Sequence, residues 1–153
     1  MKENISMSKG IFYTIVILCA TIILSNSIDA IIRAKDIDLF NMWINDVSQK
    51  IDTVNQSREQ LYSTYLTMCL SNFFVRVVTP MGLAINSYFS FIKLGVSKLF
   101  VSIWTVLLIG LFAFTLIGQS LNSIFFIISS VCYVVLVVLI INLGRKISMA
   151  KAN

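Results

Sequence analysis

Asp29 and Arg76 are the two charges set inside otherwise apolar stretches of this 153-residue chain. At the centre of a membrane span an arginine costs about 2.5–3.5 kcal/mol on an insertion scale, so it faces protein or a water-filled cleft rather than lipid. Four roles fit Arg76: an anion or ion pathway, contact with a charged partner helix, a structural pair, or a snorkelling side chain. Asp29 is the nearest counter-charge. At 1.5 Å per residue the two backbone positions differ in depth by roughly 10 Å, a gap that an upward-reaching Arg and a downward-reaching Asp barely bridge.

Pro80, four residues beyond Arg76, lacks the N–H that would meet the Arg76 carbonyl, and it is expected to kink the helix there. With Gly82 nearby, this is where the bundle is expected to flex or open. The same segment holds ten strongly apolar residues that return about 3–6 kcal/mol in all. Against Arg76, Asn72, Pro80 and Asn86 the balance is near zero, so this span should insert only with help from its neighbours.

Other chemistry finds no support. The chain has no histidine, which removes the commonest metal ligand and the commonest neutral-pH base. Cys19, Cys69 and Cys132 match no metal or redox spacing and read as small buried hydrophobes. There is no phosphate-binding glycine loop, no GxSxG elbow and no HExxH. No catalytic residue, cofactor or metal site is expected. The net charge is +5, but no basic stripe interleaves with aromatics as a nucleic-acid surface requires, so nucleic acid is not an expected partner.

The elements that must position these residues follow from composition, 58% hydrophobic and 12% charged. Taking about 20 apolar residues per span, four transmembrane helices are predicted over 11–32, 66–91, 99–117 and 121–143, an all-α integral membrane protein with the lipid bilayer as its main solvent. Lys2 and Lys9 before an apolar run, with Ser25 and Ser27 after it, resemble a signal peptide. The run resumes at Ile28, Ala30, Ile31 and Ile32, which favours a first span. With the N-terminus inside, Lys2, Lys9, Lys93, Lys98, Arg145, Lys146 and Lys151 lie inside, and Arg33, Lys35, Lys50 and Arg58 outside. Seven against four predicts both termini in the cytoplasm, a bias most easily read as that of a bacterial inner membrane. The uncharged 118–122 segment reads as a tight hairpin.

The outer segment, about 33–63, is the one extended polar region. Ile37, Phe40, Ile44, Val47, Ile51, Val54 and Leu61 recur at steps of three and four, with Arg58 breaking the series, and form a heptad seam. Asp38, Asn45, Asp46, Gln49, Asp52, Asn55, Gln56 and Glu59 give it a polar back. The expectation is an extracytoplasmic amphipathic helix that continues from the first span and turns back somewhere within 55–64. Three partners suit the seam: the chain's own next helix, a second copy in a homo-oligomer, or another protein. Gly110 and Gly118 are candidates for close helix approach, Trp104 for an inner interface, and Tyr62 and Tyr65 for aromatic-belt anchors.

These features imply a small, non-enzymatic polytopic protein that works by contact with another membrane protein. Immunity or exclusion proteins, which block an incoming toxin or a competing conjugation channel, share that physical description by analogy of fold alone, as do accessory subunits of membrane complexes. The alternative is a homo-oligomeric pore with Arg76 facing the lumen.

Overall fold

The structure, a computed structural model, describes residues 6–48, 57–116 and 123–150. Its elements are α1 (Lys9–Lys35), α2 (Ile37–Ser48), α3 (Arg58–Phe89), a π-helical turn (Ser90–Leu94), α4 (Lys98–Leu116) and α5 (Ile124–Ala150), with no strand among the described residues. Four helices, α1, α3 with its π-helical turn, α4 and α5, are long and apolar enough to cross a membrane, which makes this a multi-pass membrane protein. The 118–122 hairpin lies outside the described residues.

The helices pack in a ring: α1 against α3 and α5, and α4 against α5 and α3. Buried positions recur at steps of three and four, with Ile15, Cys19, Ile22, Asn26 and Asp29 on α1 and Phe100, Trp104, Leu108, Leu111 and Thr115 on α4. That spacing keeps one stripe of each helix turned inward. Tyr133, Leu136 and Ile140 of α5 close the centre, each with 0% of its surface exposed. The outward faces are just as apolar. Leu24, Leu99 and Val106 are exposed, as suits helices whose surroundings are hydrocarbon rather than water.

Backbone chemistry sets the helix ends. The amphipathic segment does not continue α1, because Asp36 stands between the two helices. Its Oδ1 accepts from the backbone N–H groups of Asp38 (2.9 Å) and Leu39 (3.1 Å). A side-chain acceptor there caps a new helix at the expense of prolonging the old one. A capping box opens α3: the Ser57 side chain accepts from the Gln60 N–H, and the Gln60 side chain accepts from the Ser57 N–H. This starts the helix two turns before its apolar run. Gly95, at φ 63°, ends the π-helical turn by donating its N–H to the Ser90 carbonyl across 2.9 Å, a left-handed conformation that glycine adopts without strain. At the other end of the chain, α5 runs on past Gly144 to Ala150.

The seam therefore divides between two helices. Phe40 is buried, Ile44 and Val47 are half-buried on α2, and Leu61 is half-buried on α3. Ile51 and Val54 lie outside the described residues. Ile37, in the first turn of α2, is 65% exposed and does not join the packed face. Trp43 takes part instead, stacked with Phe40 at 6.3 Å and tilted against Tyr65 at 5.6 Å. Phe40 meets Tyr62 edge-on at 5.0 Å, so over the described residues the packed side of α2 rests on the chain's own α3. Arg58, which interrupts the seam, reaches back from α3 and donates to the Asn41 side chain across 3.2 Å.

Close helix approach occurs at Gly82 and Gly144, not at Gly110. A Cβ on Gly82 would stand 3.2 Å from Cη2 of Trp104, and one on Gly144 2.9 Å from Cγ1 of Val101, whereas Gly110 has nothing within 4 Å. Gly110 lies on the outward face of α4, where a missing side chain brings no neighbour nearer. Gly118 is not among the described residues. Trp104 belongs to the core at 8% exposure rather than to an interface, because the notch at Gly82 admits its ring.

Candidate functional site: a buried Asp–Arg cluster beneath an aromatic lid

Asp29 sits nearly two turns before the end of α1, and Arg33 follows on the same face, four residues later. Arg33 Nε donates to Asp29 Oδ2 across 2.8 Å, a charge-assisted bond that the i,i+4 spacing allows. The other carboxylate oxygen, Oδ1, accepts from the Ser123 hydroxyl across 3.1 Å. The carboxylate is thus held by α1 and by the residue leading into α5.

Arg76 approaches the same group from the middle of α3. Its Nη1 lies 3.8 Å from Asp29 Oδ2, near enough for an ion pair and too far for a hydrogen bond. The gap in depth is closed by two side chains leaning toward each other. Arg76 is 9% exposed and Asp29 7%, and the Arg76 Nε is buried without a hydrogen-bond partner. Two guanidinium groups of permanent charge thus share one carboxylate in a place shielded from water, where their attraction is stronger than at a surface.

A cleft of about 180 Å³ opens against this cluster, lined by Asn26, Asp29, Arg33, Tyr65, Asn72 and Arg76, with Leu39 and Trp43 of α2 laid over it. Tyr65 and Tyr62 do more than sit at a membrane interface. Their hydroxyls donate to the carbonyls of Arg33 (2.9 Å) and Ala34 (3.1 Å) in the last turn of α1, where helical partners run out; the Arg33 carbonyl also accepts from the Asp36 N–H across 3.3 Å. Tyr65 is 4% exposed, so the belt reading does not hold for it. The aromatic residues form a lid that fastens α2, α3 and the end of α1 together.

Pro80 is fully buried, and α3 is helical on both sides of it. The carbonyl it deprives is that of Arg76, and the Tyr133 hydroxyl donates to this carbonyl across 3.3 Å. Gly82 serves the contact with Trp104 described above. The structure therefore brings Asp29 and Arg76 together, ties Pro80 to the site only through the Arg76 carbonyl, and sets Gly82 apart; of the seam residues, Phe40 reaches the site's edge by packing on Tyr65 at 5.4 Å.

Sequence reasoning did not single out Arg33 or Tyr133. Arg33 had a signal in its spacing from Asp29, and Tyr133 had one as the tyrosine of an uncharged span, where a phenol must find an acceptor. Ser123, beside Asn122, is one of the chain's short Ser/Asn pairs, a type that commonly joins helices. The cluster offers charge recognition and positioning. Comparison with known proteins finds no matching family model, curated protein or solved structure.

Proposed function

We propose that this chain is a non-enzymatic membrane protein that acts by binding another membrane protein through its outer face, in the manner of immunity or exclusion proteins or of an accessory subunit. The proposal includes both termini in the cytoplasm and a bacterial inner membrane, supported by the excess of Lys and Arg at the end of the bundle where α1 begins and α5 finishes.

One observation carries it. The exposed residues of α2, Ile37, Asp38, Asn41, Met42, Asn45 and Asp46, form a single helical face, while the opposite face is fixed by Phe40 and Trp43 to the aromatic lid. Ile37 and Met42 are 65% and 59% exposed, set among acids and amides on an element that stands beyond the apolar ends of the spans. A rigid surface of that mixed kind suits protein recognition, since apolar anchors supply affinity and surrounding charges supply selectivity. The pore reading finds no such support, because Arg76 faces Asp29 inside the chain's own bundle rather than a surface that several copies would share.

The test is photocrosslinking from Ile37 and Met42 in native membranes, with Leu24 on the lipid-facing side of α1 as the control position. A single partner crosslinked from both α2 positions and not from Leu24, together with survival of a membrane-active toxin or reduced uptake of a conjugating plasmid that is lost in Ile37→Asp, supports the reading. Equal labelling from all three positions overturns it.

A further inference from the structure

The acids of the described residues are confined to one end. Asp29, Asp36, Asp38, Asp46 and Glu59 lie on the second half of α1, at its junction with α2, on α2 and in the first turn of α3, together with Arg33, Lys35 and Arg58, while Lys9, Lys93, Lys98, Arg145 and Lys146 lie at the opposite end. Among the described residues, no acid stands with the bases there.

At that basic end the bundle has a groove of about 580 Å³ between the start of α4 and the end of α5, lined by Lys98, Val101, Ile141, Gly144, Arg145 and Ser148 among others. The volume is within the range of small-molecule sites, about 300–1,000 Å³. Its walls are mainly aliphatic, and the charged groups on it are the cations Lys98 and Arg145. Gly144 forms the floor, where the missing side chain lets Val101 of α4 lie against α5.

A second observation points to an anion. Lys98 opens α4, the first turn of this 19-residue helix contains no acid, and the Ser97 hydroxyl ahead of it accepts from the Phe100 N–H across 3.2 Å. A cation there adds to the positive end of the helix dipole instead of offsetting it, an arrangement that an incoming phosphate relieves by pairing with Lys98 and Arg145 rather than with the capped helix end.

We infer that this groove is a binding site for an anionic phospholipid, with the headgroup phosphate between Lys98 and Arg145 and one acyl chain along Val101 and Ile141. The geometry matches the basic interhelical pockets in which acidic lipids bind. A zwitterionic lipid carries its own cation toward the same two residues and gains less.

The experiment titrates the full chain, purified in a mild non-ionic detergent, with dioctanoyl phosphatidylglycerol or dioctanoyl phosphatidylcholine and reads bound lipid by native mass spectrometry. The expected result is one phosphatidylglycerol bound at a concentration roughly tenfold lower than phosphatidylcholine. Lys98→Ser with Arg145→Ser should abolish the preference. Lys93→Ser with Lys146→Ser removes the same charge from the same end but from outside the groove, and should keep most of it. Equal loss in the two double variants means diffuse attraction to a basic surface and overturns the site, as does equal affinity of the unaltered chain for both lipids.

Discussion

The Tyr133 hydroxyl donates to the Arg76 carbonyl across 3.3 Å, and that carbonyl is the one that Pro80 leaves without a helical donor. Proline in a transmembrane helix is tolerated where another group meets the freed acceptor, and here a residue 57 positions away in sequence meets it. Tyr133→Phe should therefore cost about 1–2 kcal/mol of bundle stability, read as earlier unfolding in a detergent titration. In a Pro80→Ala background, where residue 80 regains its N–H, the same change should cost clearly less. Equal costs in both backgrounds would show that the bond does not serve the proline.

Asp29 and Arg76 should respond unequally to removal. Asp29 already has Arg33 at 2.8 Å and Ser123 at 3.1 Å, so Arg76→Leu leaves the carboxylate satisfied and takes a charge out of α3. That variant should match or exceed the parent in stability and improve insertion of an isolated α3 by about 3 kcal/mol or more. Asp29→Ala strands the guanidinium and should lose about 3–5 kcal/mol. Glycosylation mapping of α3 and thermal unfolding of both variants check the two halves, and a larger loss from Arg76→Leu would contradict them.

Among the glycines, Gly144→Ala should be the costly one, because its Cβ would come within 2.9 Å of Val101 Cγ1. Overpacking of that kind costs about 1–3 kcal/mol. Gly144→Ala with Val101→Ala should recover most of it, and Gly110→Ala should be neutral or better. Melting temperatures of the four proteins decide the matter.

Phe40→Ala should free α2 while sparing the bundle. Phe40 is 4% exposed between Tyr62 and Tyr65, and loss of a buried phenylalanine costs about 3–5 kcal/mol where the site does not collapse. Hydrogen exchange should quicken over Ile37–Ser48 and stay slow in α1 and α5. Uniform quickening would mean that α2 and the spans unfold as one unit.

The spans were legible because a bilayer demands a length of apolar residues that little else imitates. Arg76 and Asp29 stood out for the same reason. Their contact was harder to foresee, since backbone depth understates how far a long arginine side chain reaches. The partition at Asp36 shows a local rule overriding chain continuity: neither Gly nor Pro separates α1 from the seam that begins at Ile37, yet one capping carboxylate ends the first helix and opens the next. Tyr133 and Ser123 depended on which helix lies beside which, and hydrophobic pattern is nearly silent on that when every face is apolar. The glycines show the limit again, for Gly82 and Gly110 look alike until a tryptophan stands against one of them.

The polar demands of α3 are met partly from α5 and its leading residue, through Tyr133 to the Arg76 carbonyl and through Ser123 to the carboxylate that faces the Arg76 side chain. A ribosome releases α5 after α3, so the least apolar span emerges before some of the groups that settle it. During that interval α3 has only Asp29 of α1 to lean on, and its commitment to the membrane is complete once α5 has followed.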